Sequence, residues 1–339
     1  LYLSGDVSTS VSLSDGVSVA ETAPTREINL GLTVAERFAL KQAGAAVPGG
    51  SMTLSWTAGS IEDAAGGNAI AASVLAVSLV PDTTEPGVTG ATLNLTAQTL
   101  ELTFDDIVVD SSVAASQLEL SNSGMNLSLG ASTVVAESGA ENNRVLLQLS
   151  KSEFDFLGLH PLVCGTASAA SAPCALSAGA FVADWFGNSH APSATYPLVL
   201  VADTVAPTVT AASVNMTDGL VHLEFSEPVI VGSLDASKLT LNSSNGVSLT
   251  LENAQVQTTA THSLEITLTL PITDDVNNMR RDQFEHAGSH DMLVAAGAFS
   301  DSSGVAVEAG TVGVSVGLDT GRPVPVESWV DLTLGHVVL

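Results

Sequence analysis

A chain of 339 residues is long enough for two or three domains, and its 36 acidic against 9 basic residues give a formal charge of -27. Such a field repels phosphate, which argues against nucleic acid and anionic membrane surfaces as partners, and it attracts cations that prefer oxygen, Ca²⁺ above all. The composition is 45% apolar, 13% charged and 4% aromatic, with many small and β-branched side chains that suit sheets better than helices.

No apolar run reaches the roughly 18 residues that span a membrane. The nearest, "AIAASVLAVSLV" at 69–80, is short and broken by serines. The chain opens at Leu1 with no basic-then-apolar signal segment, as a mature piece or a window of something longer would. Its two cysteines, Cys164 and Cys174, bracket the loop "CGTASAASAPC". They read either as a loop-closing disulfide of an oxidising compartment or as two free thiols.

In chain order, "LYLSGDVSTSVSLSDG" and "EINLGLT" are expected strands, followed by a helical piece, "TVAERFALKQAG". A turn in "GSIEDAAGGN" and a further strand lead to "DTTEPGV" at Asp82. The pattern then restarts. "LNLTAQTLELTFDD" is a hairpin turning at Ala97-Gln98, "RVLLQLS" is a strand, and "SKSEFDFLGL" is a helix with a capping signature at Ser150. After the turn "GAFVADWFGN", the strand "ATYPLVLVAD" runs into "DTVAPTV" at Asp203. In the third passage, "SKLTLNSSNGVSLTLE" turns at Asn-Gly, a strong hairpin signal. The strand "SLEITLTL", the helical piece "TDDVNNMRRDQFEHAG", the turn "GAFSDSSG" and the strand "GTVGVSVGLD" follow, ending at "DTGRPVP" from Asp319.

These restarts define a repeat of about 118 residues, because the three Asp-Thr-x-x-Pro sites lie 121 and 116 residues apart. Phe104 and Phe225 keep that register, as do Asn94, Asn215 and Asp331. Residues 1–81 are then the C-terminal part of one repeat, 82–202 and 203–318 are whole repeats, and 319–339 starts another. About seven short strands per repeat, bounded by turn signals, predict an all-β fold of tandem immunoglobulin-like β-sandwiches with one short helix each. The recurring proline marks a stiff junction between them.

The stretch "DTVAPTVTAASVNMTDGLVHLEFSEPV" resembles the start of the Ig-like repeats of bacterial surface-layer proteins and large adhesins. Similar Asp-Thr-x-x-Pro arrays occur in algal and protist extracellular proteins, including those of flagellar hairs (mastigonemes). The resemblance covers nearly the whole chain, although the helical segment and the long back half depart from a minimal bacterial Ig-like domain. It implies an extracellular structural or adhesive array, located at the cell surface or in an appendage.

Catalytic motifs find little support. Gly313 to Gly317 spell Gly-x-Ser-x-Gly, but inside an alternating strand rather than at the strand-to-helix turn a nucleophile elbow needs. His286 and His290, near Asp282 and Asp291, are separated by Gly288 and read as a solvated helix end. His160, His190, His222, His262 and His336 are scattered, and no phosphate loop or zinc spacing occurs. The expectation is a non-enzyme.

The recurring aspartates are the chemical candidates: Asp63, Asp184 and Asp301 lie in turns, 18 or 19 residues ahead of the linker aspartates Asp82, Asp203 and Asp319. Each turn aspartate is expected to meet the linker aspartate that follows it and to hold Ca²⁺ at the domain pole. The competing reading is that each bonds only its own turn. Four sequons, at Asn94, Asn126, Asn215 and Asn242, mark candidate glycosylation sites. The function expected from all this is a structural segment of an extracellular filament or appendage. Its partners are copies of itself and other cell-surface glycoproteins. The alternative is a calcium-dependent adhesin for glycan or protein ligands, with the aromatic loop "FVADWFGN" (181–188) as its binding feature.

Overall fold

The computed structural model describes residues 31–33, 36–37, 39–40, 52–63, 68–78, 80, 82–122, 125–135, 143–160, 164, 174–192, 194–271, 275–282 and 284–320. It also gives the backbone of short strands at 2–4, 10–12, 18–19, 30, 329–331 and 336–338. The remaining parts of the expected elements "EINLGLT" and "TVAERFALKQAG" lie outside the described residues, as does the loop between the cysteines. The chain is mostly β-strand, and it divides into two compact units, Leu1–Asp203 and Thr204–Leu339.

The first unit holds a four-stranded sheet in the order Ser10–Ser12, Tyr2–Ser4, Met52–Trp56, Ser73–Val77. A second four-stranded sheet runs Met125–Ser128, Leu118–Asn122, Ala175–Ala178, Ala194–Pro197. A five-stranded sheet runs Thr133–Val135, Arg144–Gln148, Thr99–Phe104, Val88–Asn94, Val199–Val201. Period-two alternation buries one face of the central strands, as the pattern of Thr99–Phe104 shows, with every second residue buried. Leu93, Leu100, Leu102 and Leu147 from the five-stranded sheet share one apolar cluster with Leu118, Leu120 and Leu176 from the four-stranded sheet. All seven are fully buried or nearly so, each contributing about 1.5–3 kcal/mol of apolar transfer.

Local chemistry sets the turns. The hairpin after Asn94 closes where expected, with Gln98 in the left-handed region at φ 56 and the Ala97 amide donating to Asn94 Oδ1 at 3.0 Å. The helix Lys151–Leu159 begins with a full capping box between Ser150 and Glu153. Glu153 is buried, and it also accepts from the Ala131 amide at 3.0 Å and the Ser132 hydroxyl at 2.9 Å. One carboxylate therefore starts the helix and holds the loop before the Thr133–Val135 strand.

The second unit forms one ladder of eight strands. Their order is Ser248–Thr250, Leu239–Ser243, His290–Val294, Gly310–Gly317, Val209–Asn215, Leu220–Ile230, His262–Thr269, Gln255–Val256. Its core includes Val214, Val221, Leu223, Ile266 and Leu268 on one side of the ladder and Leu239, Leu241 and Met292 on the other. The Asn245-Gly246 turn sits where expected, with Gly246 at φ 90.

Two elements differ from expectation. The run 273–288 is not one helix: Asn277–Arg281 is helical and Phe284–His286 is a separate 3₁₀ turn. Two asparagines and three aspartates in that run are weak helix formers. The expected strand 194–203 is split by Pro197, which has no N–H for a ladder. Ala194–Pro197 pairs antiparallel with Ala175–Ala178, and Val199–Val201 pairs parallel with Val88–Asn94. Gly310–Gly317 has no proline and makes the same change of partner without a break, pairing first with His290–Val294 and then with Val209–Asn215. For that reason the strands between residues 88 and 201 form two separate sheets, where those between residues 209 and 317 form one continuous ladder.

Candidate functional site

Strand direction brings carboxylates together. Because Val199–Val201 runs parallel to Val88–Asn94, the segments leading into both strands lie at the same end. Thr99–Phe104 is antiparallel to Val88–Asn94 and ends opposite Val88, so the residues after Phe104 reach that end too. Asp82, Asp106 and Asp184 are the acids on these three segments, and each offers an oxygen within 4.8 Å of the others. In the second unit the strands 209–215, 220–230 and 310–317 repeat this arrangement. There Glu227 and Asp301 meet Asp203, the residue bonded to the unit's first, Thr204, again within 4.8 Å.

Backbone geometry aims each acid. Glu227 lies in a bulge, where the pairing of Leu220–Ile230 shifts between Glu224 and Val229, and bulges re-aim side chains in this way. Isolated bridges Val108–Asp184 and Val229–Asp301 fix the turn aspartates beside the segments carrying Asp106 and Glu227. Asp184 Oδ1 accepts from the amides of Phe186 and Asn188 at 2.8 Å, while Asn188 Nδ2 donates to Asp184 Oδ2 at 2.8 Å and to the Asp82 carbonyl at 3.0 Å. Asp301 Oδ1 likewise accepts from the amides of Ser303 and Val305 at 2.8 Å. Thr84 donates its amide to Asp82 Oδ1 at 2.9 Å. These aspartates therefore do bond their own turns, and the same bonds hold them in position within the cluster.

The expected pairing needs correction. Sequence spacing set each turn aspartate against the linker aspartate that follows it; the structure groups it instead with the linker aspartate at the start of its own segment, Asp184 with Asp82 and Asp301 with Asp203. Asp63 is exposed and held by Asn68 Nδ2 at 2.6 Å. Asp319 pairs with Arg280 Nε at 3.0 Å, and its amide donates to Glu285 Oε2 at 2.7 Å. Neither belongs to a three-carboxylate group among the described residues. Asp106 and Glu227 are the members that spacing alone missed. Each follows its phenylalanine, Phe104 or Phe225, by two positions, and that register was the available signal.

Five of the six acids are buried, and Asp82 is half-buried. Two like charges 4 Å apart repel by about 4 kcal/mol at an effective dielectric of about 20, a repulsion that nearby positive charge offsets. For Asp106 the Arg37 guanidinium supplies part of that charge, 3.5 Å from Oδ1. The donor set is all carboxylate oxygen with neither His nor Cys, which fits a hard cation such as Ca²⁺ and not zinc. Three carboxylates can supply up to six oxygens, the lower end of the Ca²⁺ range.

Cys164 and Cys174 are buried and joined by a disulfide, their Cα atoms 4.7 Å apart. Of the sequon asparagines, Asn126 is exposed. Asn94, Asn215 and Asn242 are half-buried and engaged: Asn94 in its turn, Asn215 Nδ2 with Asp218 at 3.0 Å, and Asn242 Nδ2 with Asp291 at 3.1 Å. His286 is exposed on the 3₁₀ turn, whereas His290 starts a strand and bonds the Phe284 carbonyl. The two share no helical face. Ser315 is exposed in the middle of the Gly310–Gly317 strand, which runs straight through the Gly-x-Ser-x-Gly match. No helix among the described residues is long and apolar enough to cross a membrane.

No protein-family model and no curated protein matches the chain. Among solved structures it is similar to the N-terminal part of the bacterial S-layer protein SbsC, with a TM-score of 0.25 and 10% identity over 68% of this chain and 44% of that one. Domains 1–6 of surface layer protein SbsC, and S-layer protein rSbsC(31-844), give the same score and identity over 69% of this chain and 26% of theirs. The chain thus spans less than half the length of the SbsC chains it matches, and a likeness at this level decides neither fold family nor function.

Proposed function

We propose that this chain is a run of tandem immunoglobulin-like β-sandwiches forming a structural segment of an extracellular filament or cell-surface appendage, of which a flagellar hair is the specific case. The observation that carries the reading is the recurrence of one arrangement in two successive segments: the parallel closing strand, the change of strand partner, and the three-carboxylate group at the pole. An array in which every unit has the same parts provides length and repeated side contacts rather than one specialised pocket. The Cys164–Cys174 disulfide and the exposed Asn126 sequon are in keeping with a secreted glycoprotein.

Ca²⁺ is the cation this reading assigns to both carboxylate groups. Asp82 and Asp203 begin the Asp-Thr-x-x-Pro linkers, so a bound ion ties each linker to the turn of its own sandwich and stiffens the array. The adhesin reading rests on one observation: Trp185 is 41% exposed in the turn that positions Asp184. A glycan or protein ligand could stack there.

The deciding experiment is immunogold electron microscopy of the source material with antibody to residues 82–318. Periodic labelling along an external fibre is the expected result. Label confined to the cell interior would overturn the structural reading, and label on non-filamentous surface together with glycan capture lost in Trp185→Ala would favour the adhesin.

A further inference from the structure

One position on the outer face of the sheets reverses its charge from one segment to the next. In the first unit Arg144 lies directly opposite Thr103, and its guanidinium pairs at 2.8 Å with Glu101, two residues before Thr103. A shift of 121 residues turns Arg144, Thr103 and Glu101 into Glu265, Glu224 and His222. The second unit keeps the register: Glu224 is opposite Glu265, and His222 is opposite Thr267, as Glu101 is opposite Leu146. The two faces therefore correspond in pairing as well as in sequence.

Glu224 and Glu265 are both exposed, and like charges directly opposite each other on paired strands destabilise a sheet. Every Arg and Lys among the described residues pairs with some other acid, so none of these cations offsets the pair. The faces also differ in relief. On the first unit Val199, 62% exposed, and Val201, 41% exposed, stand beside Thr92 and Asn94. The counterparts of Thr92 and Asn94 are Ser213 and Asn215, and beside these the second unit presents only Ser315 and Gly317. One face is raised and carries an arginine; the other is bare there and acidic.

We propose that these faces form one contact between copies, in which the Glu101/Arg144 face of the first unit docks on the Glu224/Glu265 face of another copy's second unit. A local two-fold along the line through the matched positions sets Arg144 against Glu265 and Glu101 against His222. The guanidinium has five donors, enough to keep Glu101 and take Glu265 as well. Thr267 Oγ1 lies 2.9 Å from His222 Nδ1, and when that hydroxyl donates, the ring proton sits on Nε2 and serves Glu101. Each copy carries one face of each kind, so the contact is heterologous and repeats from copy to copy, as a filament requires. The net charge of -27 opposes association. At about 0.15 M salt, however, the screening length is about 8 Å, so charges in contact outweigh distant ones. The inference rests on the self-association reading above and names the surface that performs it.

The test is sedimentation velocity of the full chain over a range of concentrations in about 0.15 M salt. Beside it run Glu265→Arg, the exchange Glu101→Arg with Arg144→Glu, and all three changes together. Average mass should rise with concentration in the full chain. Glu265→Arg and the exchange should each raise the concentration needed by about tenfold or more. The triple variant should restore association, since opposite charges face each other again. Glu265→Arg also ends the like-charge pair, so its melting temperature should rise while association weakens, a combination that misfolding cannot produce. The exchange keeps the internal ion pair of the first unit. Association unchanged in both variants, or weakened and not restored in the triple variant, would overturn the proposal and leave self-association to another surface. No association at any concentration would overturn it together with the self-association reading.

Discussion

The side-chain amide of Asn188 donates to the backbone carbonyl of Asp82 at 3.0 Å, across almost the full length of one segment. The same amide group also donates to Asp184 Oδ2 at 2.8 Å. Asn188 thus ties the first residue of the linker to the turn that orients the buried aspartate. Replacing it by Leu should loosen both, raising hydrogen exchange at the Phe186 and Asn188 amides and weakening Ca²⁺ binding while the Leu-rich core stays protected. Unchanged exchange and affinity would mean that the turn is held by its backbone alone.

Glu153 joins a helix cap to a loop. Glu153→Ala removes the carboxylate that accepts from the Ser150 amide and hydroxyl and from Ala131 and Ser132, while the amide of residue 153 still donates to Ser150 Oγ. Caps and hydrogen bonds to buried charged groups together make the expected loss about 2–4 kcal/mol, measured by urea unfolding of the first unit. Glu153→Gln should recover part of it, since its amide oxygen still accepts.

His190 and Tyr196 give the first unit an alkaline limit. His190 is buried, with Nδ1 3.0 Å from the Gly179 carbonyl and Nε2 2.7 Å from the Tyr196 hydroxyl. A carbonyl only accepts, so Nδ1 donates; a neutral His190 then accepts from Tyr196 at Nε2. Burial raises the Tyr196 pKa above its ordinary value of 10.0, with a smaller raising effect from Asp105 and an opposing backbone hydrogen bond at Val88. Folding therefore favours the protonated phenol. That contribution is complete below about pH 10 and is lost as pH rises through the raised folded value. Tyr196→Phe should be less stable than the parent at neutral pH and should flatten the alkaline fall, as read from melting temperature against pH. Parallel curves for both proteins would contradict this.

Sugar should occur at Asn126 ahead of the other sequons. Asn126 is exposed on Met125–Ser128, whereas a glycan on Asn215 or Asn242 would displace its Nδ2 bond to Asp218 or Asp291. Glycopeptide analysis of protein from its source is the check; full occupancy at Asn215 with Asn126 bare would reverse the order.

Local features of the fold were legible in the sequence. Alternation placed the hairpins after Asn94 and at Asn245-Gly246, and the Ser150/Glu153 spacing placed the helix, because these depend on contacts a few residues apart. The aspartates were legible as a set but not in their grouping. What unites Asp82 with Asp184 is the parallel return of Val199–Val201 beside Val88–Asn94, a contact between the ends of a segment that spacing along the chain does not encode. Asp106 and Glu227 were hidden for a related reason: Asp and Glu differ in type, and the bulge that aims Glu227 exists only once its strand is paired.

The central claim is that the two carboxylate groups hold one Ca²⁺ each, and the direct measurement is calorimetric Ca²⁺ titration of the chelator-treated chain. The account predicts two sites, one lost in Asp184→Asn, the other lost in Asp301→Asn, and both lost in the double variant, with circular dichroism showing all three variants still folded. A stoichiometry unchanged by these substitutions, or no binding to the folded parent at millimolar Ca²⁺, would contradict it and leave these acids as turn-forming groups.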